Sequence, residues 1–235
     1  MTDRAIRYVR HHVLSGFGTT GQRALDDAHA LVIGLGGLGC PVVQYLTGSG
    51  VGLLTINDFD RVDESNLARQ LLYQPDDLGR PKVAAVTDWI EQNNGDVSVE
   101  AIARRLDPTE LEDHVSQADV IIDCTDNITA RTTIADVCRS METPLVFGAA
   151  AAWQGQYAVF RFDQESPKCF STVLNERDEW LEDCQGRGVF APVLGVIGAA
   201  MAGEAIKLLI GAGDSGDLLR LFDHRQGWRE IKLGS

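Results

Sequence analysis

The chain has 235 residues, of which 44% are hydrophobic, and a formal net charge of −13 at pH 7. The length and apolar content suit one large α/β domain, and the negative charge argues against nucleic acid or an anionic membrane as a partner. Five scattered cysteines and the lack of a secretory signal or a membrane-length apolar run favour a cytoplasmic protein with reduced thiols.

The N-terminal segment, residues 1–28, is predicted to be a helical arm. Residues 4–14 form its first expected helix, which carries Arg7 and Arg10, and residues 19–28 form its second. Neither helix belongs to the strand–turn–helix unit that follows. An arginine in such an arm is most often a solvated charge or an ion-pair partner.

A strand, a glycine-rich turn, a helix and a second strand follow one another between residues 31 and 58. The turn has the spacing Gly34-x-Gly36-x-x-Gly39, and Gly37 lies within it. Such glycines permit a tight turn, close approach of the backbone to a phosphate, and close packing of helix on strand. The helix N-terminus then favours an anion. Asp58, at the end of the second strand, is placed to hold ribose hydroxyls, so the unit predicts nucleotide binding rather than a bare turn.

Polar side chains cluster after two of the predicted strands and at one helix start. Asp60, Asn66 and Arg69 follow the strand at 53–56, and Asp126-Asn127 follow the strand at 118–124. Because the carboxyl ends of parallel strands form the ligand crevice, these groups point to the same site. Lys82 lies at the start of a helix predicted to run to about residue 94, where a lysine is unfavourable to the helix dipole. Ordinary surface charge for Lys82, and a helix N-cap for Asp126 or Asn127, are the alternatives.

The C-terminal half predicts a change in the sheet. An apolar strand at 144–147 is followed by an alternating, antiparallel strand at 155–162 and by a closing hairpin, 218–222 with 228–233. Residues 163–190 are expected to be a mobile loop, and 192–210 a buried helix that packs in the core or at a subunit interface. The predicted fold is therefore a single α/β domain, a Rossmann-like, mostly parallel sheet flanked by helices, with antiparallel strands toward the C-terminus.

Together these motifs resemble the ThiF/MoeB/HesA family of ubiquitin-activating-like adenylyltransferases over nearly the whole chain. The resemblance is carried by Arg7-Tyr8-x-Arg10-His11, Gly21-Gln22, the glycine-rich turn, Gly50-Val51-Gly52, Asp58-Phe59-Asp60, Ser65-Asn66-Leu67-x-Arg69-Gln70, Lys82, Asp123-Cys124-Thr125-Asp126-Asn127, Gly155-Gln156, Cys184, Gly195-Val196-Ile197-Gly198 and Glu204-Ala205-x-Lys207.

The resemblance implies a homodimeric enzyme that binds ATP and Mg²⁺ and activates a small ubiquitin-like sulfur carrier protein ending in Gly-Gly. The terminal carboxylate of the carrier attacks the α-phosphate, an acyl-adenylate forms and pyrophosphate leaves. A sulfurtransferase or cysteine desulfurase is implied as a further partner. The sulfur serves cofactor or metabolite biosynthesis, such as that of thiamine or molybdopterin.

The same resemblance assigns roles to individual residues. Arg69 and Lys82 contact the phosphates, Asp126 faces Mg²⁺, and Arg10 enters the partner subunit's site. Cys184 matches a position at which some members bind the carrier covalently. The implied nucleotide-binding set is Gly34, Gly36, Gly37, Gly39, Asp58, Asp60, Ser65, Asn66, Arg69, Lys82, Asp126 and Asn127.

One departure concerns zinc. Family members usually carry two Cys-x-x-Cys pairs, but here Thr172 replaces the second cysteine of the first pair, which would begin at Cys169, and the second pair does not occur. One thiol cannot form a four-coordinate zinc site, so we expect no zinc.

Three other interpretations stay open at this point. An NAD(P)-dependent oxidoreductase would share the glycine-rich turn and Asp58, although it needs no cluster such as Asn66, Arg69 and Lys82. A carrier-binding scaffold without catalysis would not need that cluster either. A diverged family member could adenylate a different carboxylate, such as that of a peptide.

Overall fold

The computed structural model describes residues 6–164, 170, 173, 188–213, 216 and 218–233. Its helices are α1 (Val9–His12), α2 (Gly18–Asp27), α3 (Gly39–Ser49), α4 (Lys82–Asn93), α5 (Pro108–Val115), α6 (Ile128–Ser140) and α7 (Ala191–Leu209). Its strands are β1 (His29–Ile33), β2 (Leu53–Asn57), β3 (Ser98–Ile102), β4 (Val120–Asp123), β5 (Leu145–Ala151), β6 (Gln154–Phe160), β7 (Leu218–Asp223) and β8 (Gly227–Lys232).

The strands form one eight-stranded sheet in the order β3-β2-β1-β4-β5-β6-β7-β8. Strands β1 to β5 pair in parallel, and β5 to β8 pair antiparallel. The predicted fold class, a mostly parallel sheet with antiparallel strands toward the C-terminus, is confirmed. From β1 the chain first adds β2 and β3 on one side and then places β4 on the other side of β1, so the strand order reverses between β1 and β4. A crevice therefore opens above their carboxyl ends.

Helices cover both faces of the sheet because its central strands are apolar on both sides. On one face α3, α4 and α7 pack over side chains such as Val32, Ile56 and Val159. On the other face α5 and α6 cover side chains such as Leu31, Ile121 and Phe147. Strand β4 is buried along its entire length, including Asp123 at its end, and its three apolar residues predict burial on both faces. These two cores hold the carboxyl ends of β1, β2 and β4 in fixed positions.

The buried helix that the sequence predicts over residues 192–210 is α7, which spans Ala191–Leu209 in the structure. Its length and mean hydropathy of 1.5 would suffice to cross a membrane. Instead it packs against α3 and against β4, β5 and β6, and its Glu204 is buried in an ion pair with Lys207. A glycine on this helix, Gly198, allows the contact, because a Cβ there would lie 2.4 Å from Pro41. We therefore interpret α7 as a core helix.

The N-terminal arm differs from the prediction of one helix over residues 4–14. Its helix is interrupted at Tyr8, which has φ −99° and ψ 15°, because the Tyr8 side chain turns into the protein. The Tyr8 hydroxyl accepts a hydrogen bond from Asn94 Nδ2 at 2.7 Å and lies against Gly50. Arg7 Nη1 donates to the carbonyl of Asn93 at 2.9 Å. The arm is thus fixed to the C-terminal ends of α3 and α4.

The glycine-rich turn connects β1 to α3 under tight steric limits. Gly34 has φ +93°, in the left-handed region that favours glycine. A Cβ on Gly39 would lie 2.0 Å from the carbonyl oxygen of Gly34, so only glycine lets α3 begin this close to the strand. Gly36 is different, because a Cβ there would meet only Gln70 Nε2, at 3.8 Å.

This contrast predicts a large effect on stability for one alanine substitution and almost none for the other. Gly39→Ala should lower the free energy of unfolding by more than about 2 kcal/mol, because backbone atoms must move apart. Gly36→Ala should change it by less than about 0.5 kcal/mol. Urea unfolding followed by circular dichroism measures both. Equal stabilities of the two variants would show that α3 does not depend on this close approach.

Candidate functional site

A cleft of about 1090 Å³ lies above the carboxyl ends of β1, β2 and β4. The glycine-rich turn forms its floor, with Gly34, Gly36 and Gly37 among the lining residues. The polar lining comes from the segments that follow β2 and β4, as the sequence predicted. It includes Asp58, Asp60, Asp63, Asn66, Arg69, Gln70, Lys82, Asp126 and Asn127.

Asp58 connects the end of β2 to the glycine-rich turn. Its Oδ2 accepts a hydrogen bond from the backbone N–H of Leu35 at 2.7 Å, and its Oδ1 accepts one from the N–H of Asp60 at 2.8 Å. The side chain is nearly buried. Each carboxylate oxygen has a second lone pair, so Asp58 can orient the turn and still accept a hydrogen bond from a sugar hydroxyl at the cleft.

Lys82, the first residue of α4, is buried between two carboxylates, in contrast to the surface charge that was its alternative. Its Nζ donates to Asp60 Oδ2 at 3.0 Å and lies 3.9 Å from Asp58 Oδ2. A buried ammonium group needs opposite charge nearby. The Lys82 side chain is 6% exposed and that of Asp60 52% exposed. Asp60 is therefore the partner that water can solvate when Lys82 turns toward an anion.

Arg69 is positioned by a short 3₁₀ helix, Glu64–Asn66. Asp63 and Asn66 cap it reciprocally: Asp63 Oδ1 accepts from the N–H of Ser65, and Asn66 Oδ1 accepts from the N–H of Asp63. Arg69 Nη1 then donates to the carbonyl oxygen of Ser65 at 2.6 Å. Within the described part of the chain Arg69 has no ion-pair partner. Its guanidinium group therefore presents an unneutralised charge to the cleft.

Asp126 and Asn127 follow β4 and differ in what they contact. Asn127 Oδ1 accepts a hydrogen bond from the N–H of Ala130 at 3.0 Å and caps α6. Asp126 is exposed at the cleft and has neither a hydrogen-bond nor an ion-pair partner among the described residues. An uncommitted carboxylate of this kind is a suitable ligand for a hard cation such as Mg²⁺.

Arg131 lines the cleft on the side of α6, and Asp123, at the end of β4, is fully buried near it. Arg131 is 1% exposed, donates through Nε and Nη2 to the carbonyl of Thr125, and stacks over the ring of Phe147. Burial raises the pKa of Asp123, and the nearby Arg131 charge opposes that shift. Arg131 thus fixes the turn that carries Asp126.

The two cysteines beside the cleft are poor nucleophiles. Burial raises the pKa of Cys40 to about 12 and raises that of Cys124 well above its usual value. Both thiols therefore stay protonated at neutral pH. Cys184, the predicted covalent residue, lies outside the described residues, as does most of the predicted mobile loop 163–190.

Three predicted site residues do not line the cleft. Gly39 packs against Gly34 beneath it, and Ser65 contributes its backbone carbonyl to Arg69. Arg10 lies exposed on the N-terminal arm, away from the lining residues. The roles assigned to the twelve nucleotide-binding residues stay predictions, but nearly all of them meet at one cleft.

Two further residues, Phe59 and Arg105, line the cleft although no role was predicted for them. Both follow the carboxyl ends of neighbouring parallel strands, β2 and β3. The rule that such ends carry ligand contacts, applied to β3 as well, would have identified Arg105.

Comparison with known proteins extends these observations. The ThiF family matches residues 8–234. The molybdopterin-synthase adenylyltransferase of Salmonella typhimurium is 40% identical over 232 residues, 97% of this chain and 92% of that protein. The sulfur carrier protein ThiS adenylyltransferase of Escherichia coli is 40% identical over 235 residues, 99% of this chain and 93% of that protein. A crystal structure of E. coli MccB with ATP shares the fold, with a TM-score of 0.85 at 22% identity over 100% of this chain and 72% of that one.

The cap of α6 predicts a stability effect. Asn127→Ala should lower the free energy of unfolding by about 1 kcal/mol, because the N–H of Ala130 loses its acceptor. Asn127→Asp keeps a capping oxygen and should retain most of the stability. Urea unfolding compares the two. If Asn127→Ala is as stable as Asn127→Asp, the side chain is not an effective cap and is free for a ligand.

Proposed function

Because this chain belongs to the ThiF family, we propose that it is an ATP-dependent adenylyltransferase that activates the C-terminal carboxylate of a small ubiquitin-like sulfur carrier protein. The products are an acyl-adenylate and pyrophosphate. The relatives with 40% identity over nearly the full chain are named as adenylyltransferases of sulfur carriers or of molybdopterin synthase.

One observation carries the proposal, the concentration of basic groups in a cleft of a very acidic protein. The chain has a net charge of −13, yet Arg69 and Lys82 both line the cleft beside the glycine-rich turn. Arg69 has no carboxylate partner in the described part of the chain. These cations, with the backbone N–H groups at the start of α3, suit a polyphosphate.

The chemistry requires two anions to approach each other. An oxygen of the carrier's carboxylate forms a bond to the α-phosphorus while the bond from that phosphorus to the pyrophosphate oxygen breaks. Arg69 and Lys82 neutralise charge on the phosphates as it moves to the leaving group. No general base is needed, because the carboxylate is already ionised near neutral pH. Asp58 holds the ribose, and Asn66 supports the segment that carries Arg69.

Magnesium fits the donor set of this cleft. No cluster of three or more His, Cys, Asp or Glu side chains occurs among the described residues, but Mg²⁺ bound with ATP takes most ligands from phosphate oxygens and water. Asp126 would supply the protein carboxylate. The metal, when bound, neutralises phosphate charge and favours departure of pyrophosphate.

The other interpretations are less well supported. An oxidoreductase on the same fold would not need Arg69, Lys82 and Asp126 at the cleft, and the relatives of high identity are adenylyltransferases. A non-catalytic scaffold would not need these side chains either. The identity of the carrier decides whether a different carboxylate is activated. It also decides whether a sulfurtransferase or a cysteine desulfurase supplies the sulfur.

A homodimer completes the proposed site through Arg10. The arm that carries Arg10 is anchored at Gly50 and Asn94, which follow α3 and α4. Both helices begin at the cleft, and they have 11 and 12 residues. At about 1.5 Å per residue the anchor lies about 17 Å from the cleft, at the opposite end of the sheet. Arg10 can therefore serve a nucleotide more readily in a partner's cleft than in its own.

Pyrophosphate exchange tests the proposed function directly. The purified protein should incorporate labelled pyrophosphate into ATP when a carrier ending in Gly-Gly is present. The same carrier without its last glycine should not support exchange, because its carboxylate does not reach the α-phosphate. Equal exchange with both carriers, or none with any carrier, would contradict the proposal.

Asp126→Ala should lower this exchange by at least about a hundredfold, because Mg²⁺ loses its protein carboxylate. Asp136→Ala is the matched control, since Asp136 is also exposed and follows the same strand, but on α6 and away from the cleft lining. Both variants should unfold like the wild type. Exchange by Asp126→Ala within about threefold of the control would exclude the role of a metal ligand.

A mixed dimer of Arg10→Ala and Asp126→Ala subunits tests the proposed action of Arg10 across the interface. The Arg10→Ala subunit keeps its own Asp126 and receives the partner's intact Arg10, so one of two sites should work. Each homodimer should be inactive, and each mixed dimer should recover up to about half of the wild-type exchange, so an equal mixture, in which about half of the dimers are mixed, should recover about a quarter. Once subunit exchange is verified by mass, a mixture as inactive as its parents would place Arg10 in its own site or outside any site.

A further inference from the structure

An exposed aromatic ring and an unpaired arginine meet at the edge of the cleft nearest β3. Phe59 is 51% exposed although it is a large apolar residue. The guanidinium carbon of Arg105 lies 4.0 Å from the centroid of its ring. Both residues line the cleft. In the described part of the chain Arg105 has no ion-pair partner, even though the protein carries a net charge of −13.

The backbone that carries Arg105 is held rigidly against β2. Asn57, at the end of β2, donates through Nδ2 to the carbonyl oxygens of Ile102 at 2.9 Å and Arg104 at 2.8 Å. Arg104 is used differently, because its guanidinium pairs with Glu110 outside the cleft. Arg105 therefore lines the cleft, whereas the charge of the adjacent Arg104 is neutralised by Glu110.

The sheet order shows which part of a nucleotide would meet this pair. Asp58, at the end of β2, is the proposed ribose contact. On one side of β2 lie β1 and the glycine-rich turn, which suits phosphates. On the other side lies β3, which Arg105 follows. A nucleotide with its ribose at Asp58 and its phosphates at the turn must extend its base toward Phe59 and Arg105.

We propose that Phe59 and Arg105 form a clasp for the purine base of ATP, in which the base enters against the ring of Phe59 and the guanidinium of Arg105 covers its other face. This inference rests on the proposed adenylation function. In the ligand-free protein the guanidinium occupies the place of the base over Phe59. Both side chains are exposed, so they can separate without disturbing the core. A planar guanidinium stacks on an aromatic plane in a way that a lysine ammonium does not.

The test compares ligands with and without a base. Calorimetry measures binding of ATP and of inorganic tripolyphosphate to the wild type and to Arg105→Ala, with Arg104→Ala as the matched control of equal charge loss. Arg105→Ala should weaken ATP binding by about tenfold and leave tripolyphosphate binding within about twofold of the control. An equal loss for both ligands would make Arg105 a phosphate contact and overturn the clasp.

Two further variants separate stacking from charge. Arg105→Lys should bind ATP nearly as weakly as Arg105→Ala, and Phe59→Leu should also weaken ATP but not tripolyphosphate. Full recovery by Arg105→Lys would overturn the stacking role. If the wild type binds no ATP, the proposed adenylation function fails together with the clasp. If the wild type binds ATP and Arg105→Ala matches Arg104→Ala, only the clasp fails.

Discussion

The hydrogen bonds that the Asp58 carboxylate accepts hold the parts of the site together. One oxygen accepts a hydrogen bond from the N–H of Leu35 in the glycine-rich turn, and the other accepts one from the N–H of Asp60 in the segment after β2. Lys82, 3.9 Å away, approaches the same carboxylate from the start of α4. One nearly buried charge thus fixes a turn, a loop and a helix N-terminus relative to one another. Because the turn, the loop and the helix N-terminus are already arranged before a nucleotide binds, little binding free energy is lost in ordering them.

The charge distribution separates the cleft from the remainder of the molecule. The chain as a whole repels anions, whereas Arg69, Lys82 and Arg105 line one crevice. Lys82 is partly neutralised by Asp60, which is exposed enough to be solvated when phosphate replaces it. The charge of Lys82 is therefore balanced when no ligand is bound. It becomes available to a phosphate when Lys82 moves away from Asp60. This arrangement suits a reaction in which a carboxylate and a polyphosphate, both anionic, must meet.

The parts of the fold that depend on local sequence could be predicted, and those set by distant contacts could not. The strands and their antiparallel arrangement toward the C-terminus follow from apolar periods, and the turn follows from its glycines, whereas the strand order is set by long-range pairing. The burial of Lys82 did not follow, because it depends on two carboxylates more than 20 positions away in the sequence. The interruption of the arm at Tyr8 depends on Asn94 and Gly50, which no local pattern reveals. Arg105 was missed because no motif distinguishes it from the adjacent Arg104, and its place at the cleft follows only from the position of β3 beside β2 in the sheet.

The proposed reaction of this cleft joins a carboxylate to the α-phosphorus of ATP. The most direct measurement uses a Gly-Gly carrier labelled with ¹⁸O in its terminal carboxylate, with hydroxylamine to capture the activated acyl group. Attack on the acyl carbon releases AMP that retains the oxygen bound to phosphorus. Mass spectrometry should therefore find one ¹⁸O in AMP, and pyrophosphate without label. Label in inorganic phosphate, with ADP as the second product, would show attack at the γ-phosphorus and exclude adenylation.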